Sequence, residues 1–301
     1  MSNSSVQQAA SPLDWIRVRD GVRIESSGPF RRVFYTHRIP PECSGTFREM
    51  EGTVLFISDL HFSGKKSHTF FPGSCCYTLR GNLLEFLQET IQRFQVKHLL
   101  FGGDLLQYLC YLDQVLAFFR ELRVPGRKFG VYGNWDLKFP WISYHYWETR
   151  LREEAGLEIL CNRAVDLDGI RLYGMDEYRN GAAFYTPPEN RTAPGWILTH
   201  NPDAVPAAIG TNDLSHGDLI LCGHTHGGQI RLPLFGAVQT SSVHWKHFEY
   251  GLYRHRKNRA EMLVTAGLGT TLIRHRIFCP PEAVILNVRQ DPAWKYGSTT
   301  A

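Results

Sequence analysis

The stretch Val54-Leu55-Phe56-Ile57-Ser58-Asp59-Leu60-His61 decides the reading of this chain. A short apolar run of this kind has the length and composition of a buried strand. An aspartate and a histidine follow directly behind it. The same arrangement recurs four times. His98–Phe101 precedes Gly103-Asp104, and Phe129–Tyr132 precedes Gly133-Asn134. Trp196–Leu198 precedes Thr199-His200, and Leu219–Cys222 precedes Gly223-His224-Thr225-His226. A side chain at the carboxyl end of a buried strand points into the crevice where open α/β sheets bind ligands. Two aspartates, one asparagine and four histidines gathered there suit a pair of metal ions better than they suit a core.

Between these runs the pattern alternates. Residues 30–39 read as an opening strand ended by Pro40-Pro41. Leu79–Phe94, Tyr111–Arg123 and Trp147–Ala155 have helical spacing, and Gly156 caps the last of them. Leu157–Cys161, Ala164–Leu167 and Ile170–Tyr173 are short strands, with Asp168-Gly169 as a hairpin turn. Tyr250–Arg254, Met262–Ala266 and Ala283–Val288 complete a β-rich end. The order predicts an α/β protein with two sheets packed face to face and helices outside. Residues 26–290 form one domain in this reading, 1–25 a loose leader and 291–301 a frayed tail. Gly181–Gly195 reads as a loop.

The 301 residues are 43% hydrophobic and 21% charged, which is ordinary for a globular protein. A formal charge of +4 fits an anionic substrate but is too small to predict nucleic-acid binding. The seven cysteines include no CxxC pair and form no even framework, which points to a reducing compartment. Met1–Asp20 lacks the apolar core of a secretory signal, and no run approaches a membrane span. The expectation is a cytoplasmic protein, with peripheral membrane contact open through the basic run Arg254, Arg256, Lys257 and Arg259.

Carboxylate, imidazole and amide donors suit Mn, Fe, Zn or Mg. Two such ions clamp a phosphoryl group and acidify a bridging water that attacks in line. As a set, Asp59-Leu60-His61, Gly102-Gly103-Asp104, Gly133-Asn134-Trp135-Asp136, Thr199-His200 and Gly223-His224-Thr225-His226 resemble the calcineurin-like metallophosphoesterase superfamily. Cys222–Pro233, Gly267-Leu268-Gly269-Thr270 and Pro280-Pro281-Glu282 look like its bacterial YkuE/YaeI-type phosphodiesterase branch. The resemblance implies a four-layer α/β/β/α sandwich. It implies two divalent ions, manganese favoured: one on Asp59, His61 and His226, the other on Asn134, His200 and His224, with Asp104 bridging. Catalytic roles are expected for Asp104, Asn134, Trp135 and Asp136.

One position departs from the family. Trp135 stands where most members carry a histidine that stabilises the phosphoryl group or protonates the leaving oxygen. Trp135 either closes the site sterically or marks substrates whose leaving group needs no acid, such as phosphoanhydrides. His145 or His68 is an alternative acid. The UDP-2,3-diacylglucosamine diphosphatases of lipid A synthesis belong to the superfamily, and some also lack this histidine. Phe70, Phe71 and the aromatic stretch 139–147 are possible acyl-chain walls, or ordinary core. Arg80 and Asn82 are possible substrate contacts. The expected partner is a phosphorylated small molecule or a lipid-linked substrate. A catalytically weak binding scaffold is the reading from a different class.

Overall fold

The computed structural model describes residues 11–39, 53–70, 74–78, 81–189 and 195–290. The early strands are β1 (Trp15–Val18), β2 (Val22–Ser27), β3 (Phe30–Ile39), β4 (Thr53–Ile57), β5 (Ser67–Phe70), β6 (Ser74–Tyr77) and β7 (Val96–Phe101). The middle strands are β8 (Lys128–Gly130), β9 (Leu157–Ile159), β10 (Arg163–Leu167), β11 (Ile170–Gly174), β12 (Gly195–Leu198) and β13 (Leu219–Cys222). The last are β14 (Arg231–Leu232), β15 (Gly236–Ala237), β16 (Gly251–His255), β17 (Glu261–Val264), β18 (His275–Arg276) and β19 (Glu282–Gln290). The helices are α1 (Asn82–Arg93), α2 (Leu112–Glu121), α3 (Tyr144–Ala155) and the short α4 (Ala204–Ala208).

Two 7-stranded mixed sheets carry the fold. One has the order β2-β3-β19-β4-β7-β8-β9 and the other β1-β16-β17-β13-β12-β11-β10. Alternation along each central strand feeds two cores. In β4, Val54 and Phe56 face the other sheet, while Leu55 and Ile57 face the helices. In β12, Trp196 and Leu198 face inward and Ile197 outward. Strands buried on both faces need continuous apolar runs, which is why the sequence shows them. Leu87 of α1, Leu116 of α2 and Trp147 of α3 cover the first sheet. Among the described residues, the second sheet's outer face is covered by α4, a short 3-10 turn at Trp245–Phe248 and irregular chain, through Val205, Ile209 and Phe248. The fourth layer is therefore thin.

Helix ends follow local chemistry. The Ser143 hydroxyl accepts from Tyr146 N, so α3 starts three residues before the apolar pattern suggested. Gly156 ends it with a left-handed φ of 64°, as expected. Asp168 and Gly169 take positive φ in the tight turn between β10 and β11.

Residues 15–27 correct the leader. β1 pairs antiparallel with β16, and β2 with β3. Trp15 is buried beside Tyr253 and Met262. Only Trp15 of β1 is buried, so the segment lacks an apolar run and reads as polar. The first ten residues, Pro40-Pro41, Phe71, Arg80 and the tail after 290 lie outside the described residues. Removing the Trp15 indole should cost about 3–5 kcal/mol, as for other buried aromatics. Urea unfolding of Trp15→Ala checks this, and a wild-type midpoint would restore the leader reading.

Candidate metal centre

All five motif blocks lie beyond carboxyl ends of parallel strands. β4, β7 and β8 run parallel in one sheet, and β12 and β13 in the other. The two sheets are joined there by direct bonds. His224 N donates to Asp59 Oδ1 at 3.0 Å, and Leu268 N donates to Ser58 O at 3.0 Å. Nδ1 of His200 lies 2.7 Å from Gly102 O.

Asp59, His61, Asp104 and His226 place ligand atoms within 4.8 Å of one another, all buried. Nε2 of His61 is 3.0 Å from Nε2 of His226 and 3.1 Å from Asp104 Oδ2. Nε2 of His226 is 3.5 Å from Asp59 Oδ1. A second group stands beside it. Nε2 of His200 is 3.1 Å from Nδ1 of His224, 3.2 Å from Asn134 Oδ1 and 3.4 Å from Asp104 Oδ2. One oxygen of Asp104 thus faces both groups, while its Oδ1 accepts from Trp135 N at 2.9 Å.

These spacings fit metal ligation. Two nitrogens each about 2.0–2.1 Å from one ion stand roughly 3 Å apart. The far nitrogens are also disposed for it. His200 has Nδ1 on Gly102 O, and His224 has Nε2 3.3 Å from Ser241 O. A ligating histidine orients itself by donating its other N–H in this way. Burial, with the charge of His200 beside it, holds His224 well below the usual histidine range. Burial and the nearby His61 do the same to His226. Both are kept as neutral imidazoles, the form that binds metal. Burial opposes ionisation of Asp104, but His200 and His61 outweigh it and hold its carboxyl well below the usual range.

The remaining site residues separate by role. Asp136 is fully buried and takes backbone N–H donors from Leu105 at 2.8 Å, Asp104 at 3.0 Å and Gly133 at 2.8 Å. Its carboxylate ties the third block to the second, so it is a positioning residue, where the sequence suggested a catalytic one. Burial, then the Asp104 charge, pushes its carboxyl up to about 7. Gly133 sits under Asp104 so closely that a Cβ would overlap the carboxylate. The Trp135 indole meets His61 edge-on, with centroids 5.4 Å apart. Asn82 Oδ1 accepts from Thr78 N at 2.8 Å and holds the turn into α1. His68 stacks on His275 in the small sheet of β18, β5 and β6, and His145 is exposed on α3. Tyr144 and Trp147 belong to α3, which favours the core-and-helix reading of the aromatic stretch.

Two features escaped the sequence reading. Lys138 Nζ lies 3.6 Å from the Trp135 ring centre and donates to Gln107 O at 2.7 Å. Behind β11, the segment Asp176–Gly181 forms a sixth strand-end loop. Its Asn180 Nδ2 donates to Asn134 O at 2.9 Å. Glu177 is buried there and accepts from Arg179 N at 2.8 Å. The signal was only partial, since Arg171 interrupts the apolar residues of Ile170–Tyr173.

A two-sheet α/β frame with buried Asp and His side chains gathered at its strand ends is suited to metal-dependent hydrolysis. Residues 52–228 match the calcineurin-like phosphoesterase family, and the chain belongs to that family. It is 29% identical over 245 residues to phosphodiesterase YaeI of Escherichia coli, covering 78% of this chain and 81% of that protein. It is 28% identical to the uncharacterized metallophosphoesterase YkuE of Bacillus subtilis, over 66% of this chain and 70% of that protein. UDP-2,3-diacylglucosamine pyrophosphatase LpxG of Chlamydia muridarum is 31% identical over 45% of this chain and 42% of its own length. The chain is thus a metal-dependent phosphoester hydrolase.

Asp136→Ala leaves three buried backbone N–H groups without an acceptor. It should cost about 3 kcal/mol or more, at roughly 1–3 kcal/mol per group. Metal affinity should fall with it, because the Asp104 loop loses its anchor. Thermal melting with metal titration checks this, and unchanged values for both would show that Asp136 does not position the loop.

Proposed function

We propose that this hydrolase acts on phosphoanhydrides and on phosphodiesters with good leaving groups, using a manganese pair in a reducing, cytoplasmic setting. Asp59, His61 and His226 hold one ion in this reading, Asn134, His200 and His224 the other, and Asp104 bridges. Bound divalent ions supply an acidified water and neutralise charge on the phosphoryl oxygens. The support for a pair is Asp104 Oδ2, which stands within 3.4 Å of histidines from both groups. Carboxylate, imidazole and amide donors support a hard or borderline ion. Cys222 and Cys279, buried as free thiols, support the reducing setting.

The observation that carries the substrate class is Trp135. An indole N–H donates a hydrogen bond but delivers no proton near neutral pH. Lys138 on the ring face adds positive charge beside the site. That combination sets positive charge beside an anionic leaving group where the family's usual histidine is absent. A phosphate leaving group needs no more, whereas an alkoxide needs a general acid. The match to LpxG favours a second, narrower reading, a nucleotide-sugar pyrophosphatase of the UDP-2,3-diacylglucosamine type.

In Asp104→Ala, turnover of bis-nitrophenyl phosphate should fall at least about a thousandfold with the fold retained. Full activity in a folded variant would sink the two-metal reading. In the wild type, a nucleotide-sugar anhydride should exceed an alkyl diester in kcat/KM by about 100-fold or more, the range that general-acid help covers. Trp135→His should narrow that gap, and an unchanged ratio in this variant refutes the leaving-group argument. Faster turnover of acylated than of unacylated UDP-glucosamine would select the narrower reading. Chelation should abolish activity, and manganese should restore it more fully than magnesium or zinc.

A further inference from the structure

The basic run once open to membrane contact is accounted for by the fold. It forms the turn between β16 and β17, with Arg254 on Glu261 at 2.9 Å. That turn precedes the amino end of β17, which runs parallel to β13, so it lies at the opposite end of the sheet from the metal ligands.

A different surface adjoins them. The hairpin β14–β15 follows His226 within five residues and has Pro233-Leu234-Phe235-Gly236 across its apex. Leu234 has a left-handed φ of 68° and is fully exposed, and Phe235 is 73% exposed. Such a turn ordinarily carries Gly, Asn or Asp. A leucine there gains nothing for the folded chain. Beside the hairpin, Leu272 is 87% exposed and Ile273 is exposed too. The two segments are bonded into one piece: Arg231 N donates to Ile277 O at 2.9 Å, and Ile277 N to Gln229 O at 3.0 Å. His68 N donates to Arg274 O at 2.9 Å, which joins β5 and its exposed Phe70 to the same surface.

The exposed charge on these segments has one sign, since Glu249 under the hairpin is buried and paired with Arg231 at 2.9 Å. The chain has 29 acidic residues, yet none lies in 60–84, 227–248 or 262–281, the segments that build this surface. They carry Lys65, Lys66, Arg274 and Lys246, the last donating to Phe235 O at 2.8 Å. Exposed apolar tips with exposed cations on the same segments, and with the one adjoining acid, Glu249, buried and paired to Arg231, match an anionic bilayer, in which the tips enter the acyl region and the cations meet headgroups.

We propose that the 231–237 hairpin, with the 272–273 loop beside it, docks this enzyme on anionic phospholipid membranes at the mouth of its metal centre. The docking does not depend on the leaving-group reading, since it rests on exposure and charge alone. It would bring phosphorylated groups at the bilayer surface within reach of the site, because the metal loops and the hairpin are one stretch of chain.

The test is co-sedimentation of the full chain with vesicles of phosphatidylcholine, with and without phosphatidylglycerol. The wild type should pellet only with the anionic vesicles. Leu234→Ser/Phe235→Ser should weaken this at least about tenfold while leaving turnover of soluble bis-nitrophenyl phosphate unchanged. Lys65→Glu/Lys66→Glu should remove the preference for anionic lipid. Equal pelleting of the hairpin variant overturns the proposal, as does failure of the wild type to bind anionic vesicles. A dimer that depends on Leu234 and Phe235, with no vesicle binding, would show that a second copy covers the surface and also overturns it. Retained soluble turnover in any of these cases leaves the hydrolase reading intact.

Discussion

Five of the seven inferred ligands hold a backbone conformation that ordinary residues avoid. Asp59, His61, Asp104, His224 and His226 all have φ between 45° and 70°. Each such residue costs on the order of 1–3 kcal/mol and persists only where its surroundings over-determine it. The surroundings here are backbone bonds between the loops. Asp59 N donates to Gly103 O, His61 N to Asp104 O, Gly223 N to His200 O and Gly269 N to Asp59 O. The left-handed turn reverses the side chain just past the strand end, so that Asp and His aim back across the sheet edges.

The loops are fixed in turn by the packing of the sheets. Both sheets end at the same rim because their central strands are parallel and enter the inter-sheet core through alternate side chains. Phe56, Leu100 and Phe129 from one sheet meet Trp196, Leu198 and Leu221 from the other. A shift of one sheet against the other would break the bond from His224 N to Asp59 and the contact of His200 with Gly102 together. Rigidity at the rim follows from a large dry core rather than from the loops themselves. Asp136 extends this logic: a buried carboxylate with three backbone donors fastens two ligand loops to each other.

Much of this was legible in the sequence, for a physical reason. Strands buried on both faces must be continuously apolar, so Val54–Ser58 and Leu219–Cys222 stand out from any background, and polar residues behind them stand out too. Other parts leave no such trace. β2 alternates Val22 and Ile24 with Arg23 and Glu25 at a sheet edge, half in water, which reads as polar leader. The conversion of Asp136 from chemistry to support depends on which backbone N–H groups surround it, and spacing does not encode that. The Asp176–Gly181 loop was missed because its strand is flanked by a hairpin, which drew the reading toward turns and away from a site.

The third block shows how chemistry and surface come to share one scaffold. The Trp135 backbone N–H is held on Asp104 Oδ1, which fixes the main chain that carries the indole. On its face lies Lys138, and on its edge His61. Trp135 and Lys138 together set an apolar plate and a cation beside the metal-site residues. Gln229 does the same work on the opposite wall. It follows the His226 turn with a left-handed φ of 55°, and its side chain accepts from Thr271 N while donating to Ile273 O. The exposed apolar loop at 272–273 is thereby hung on the metal loop by one side chain.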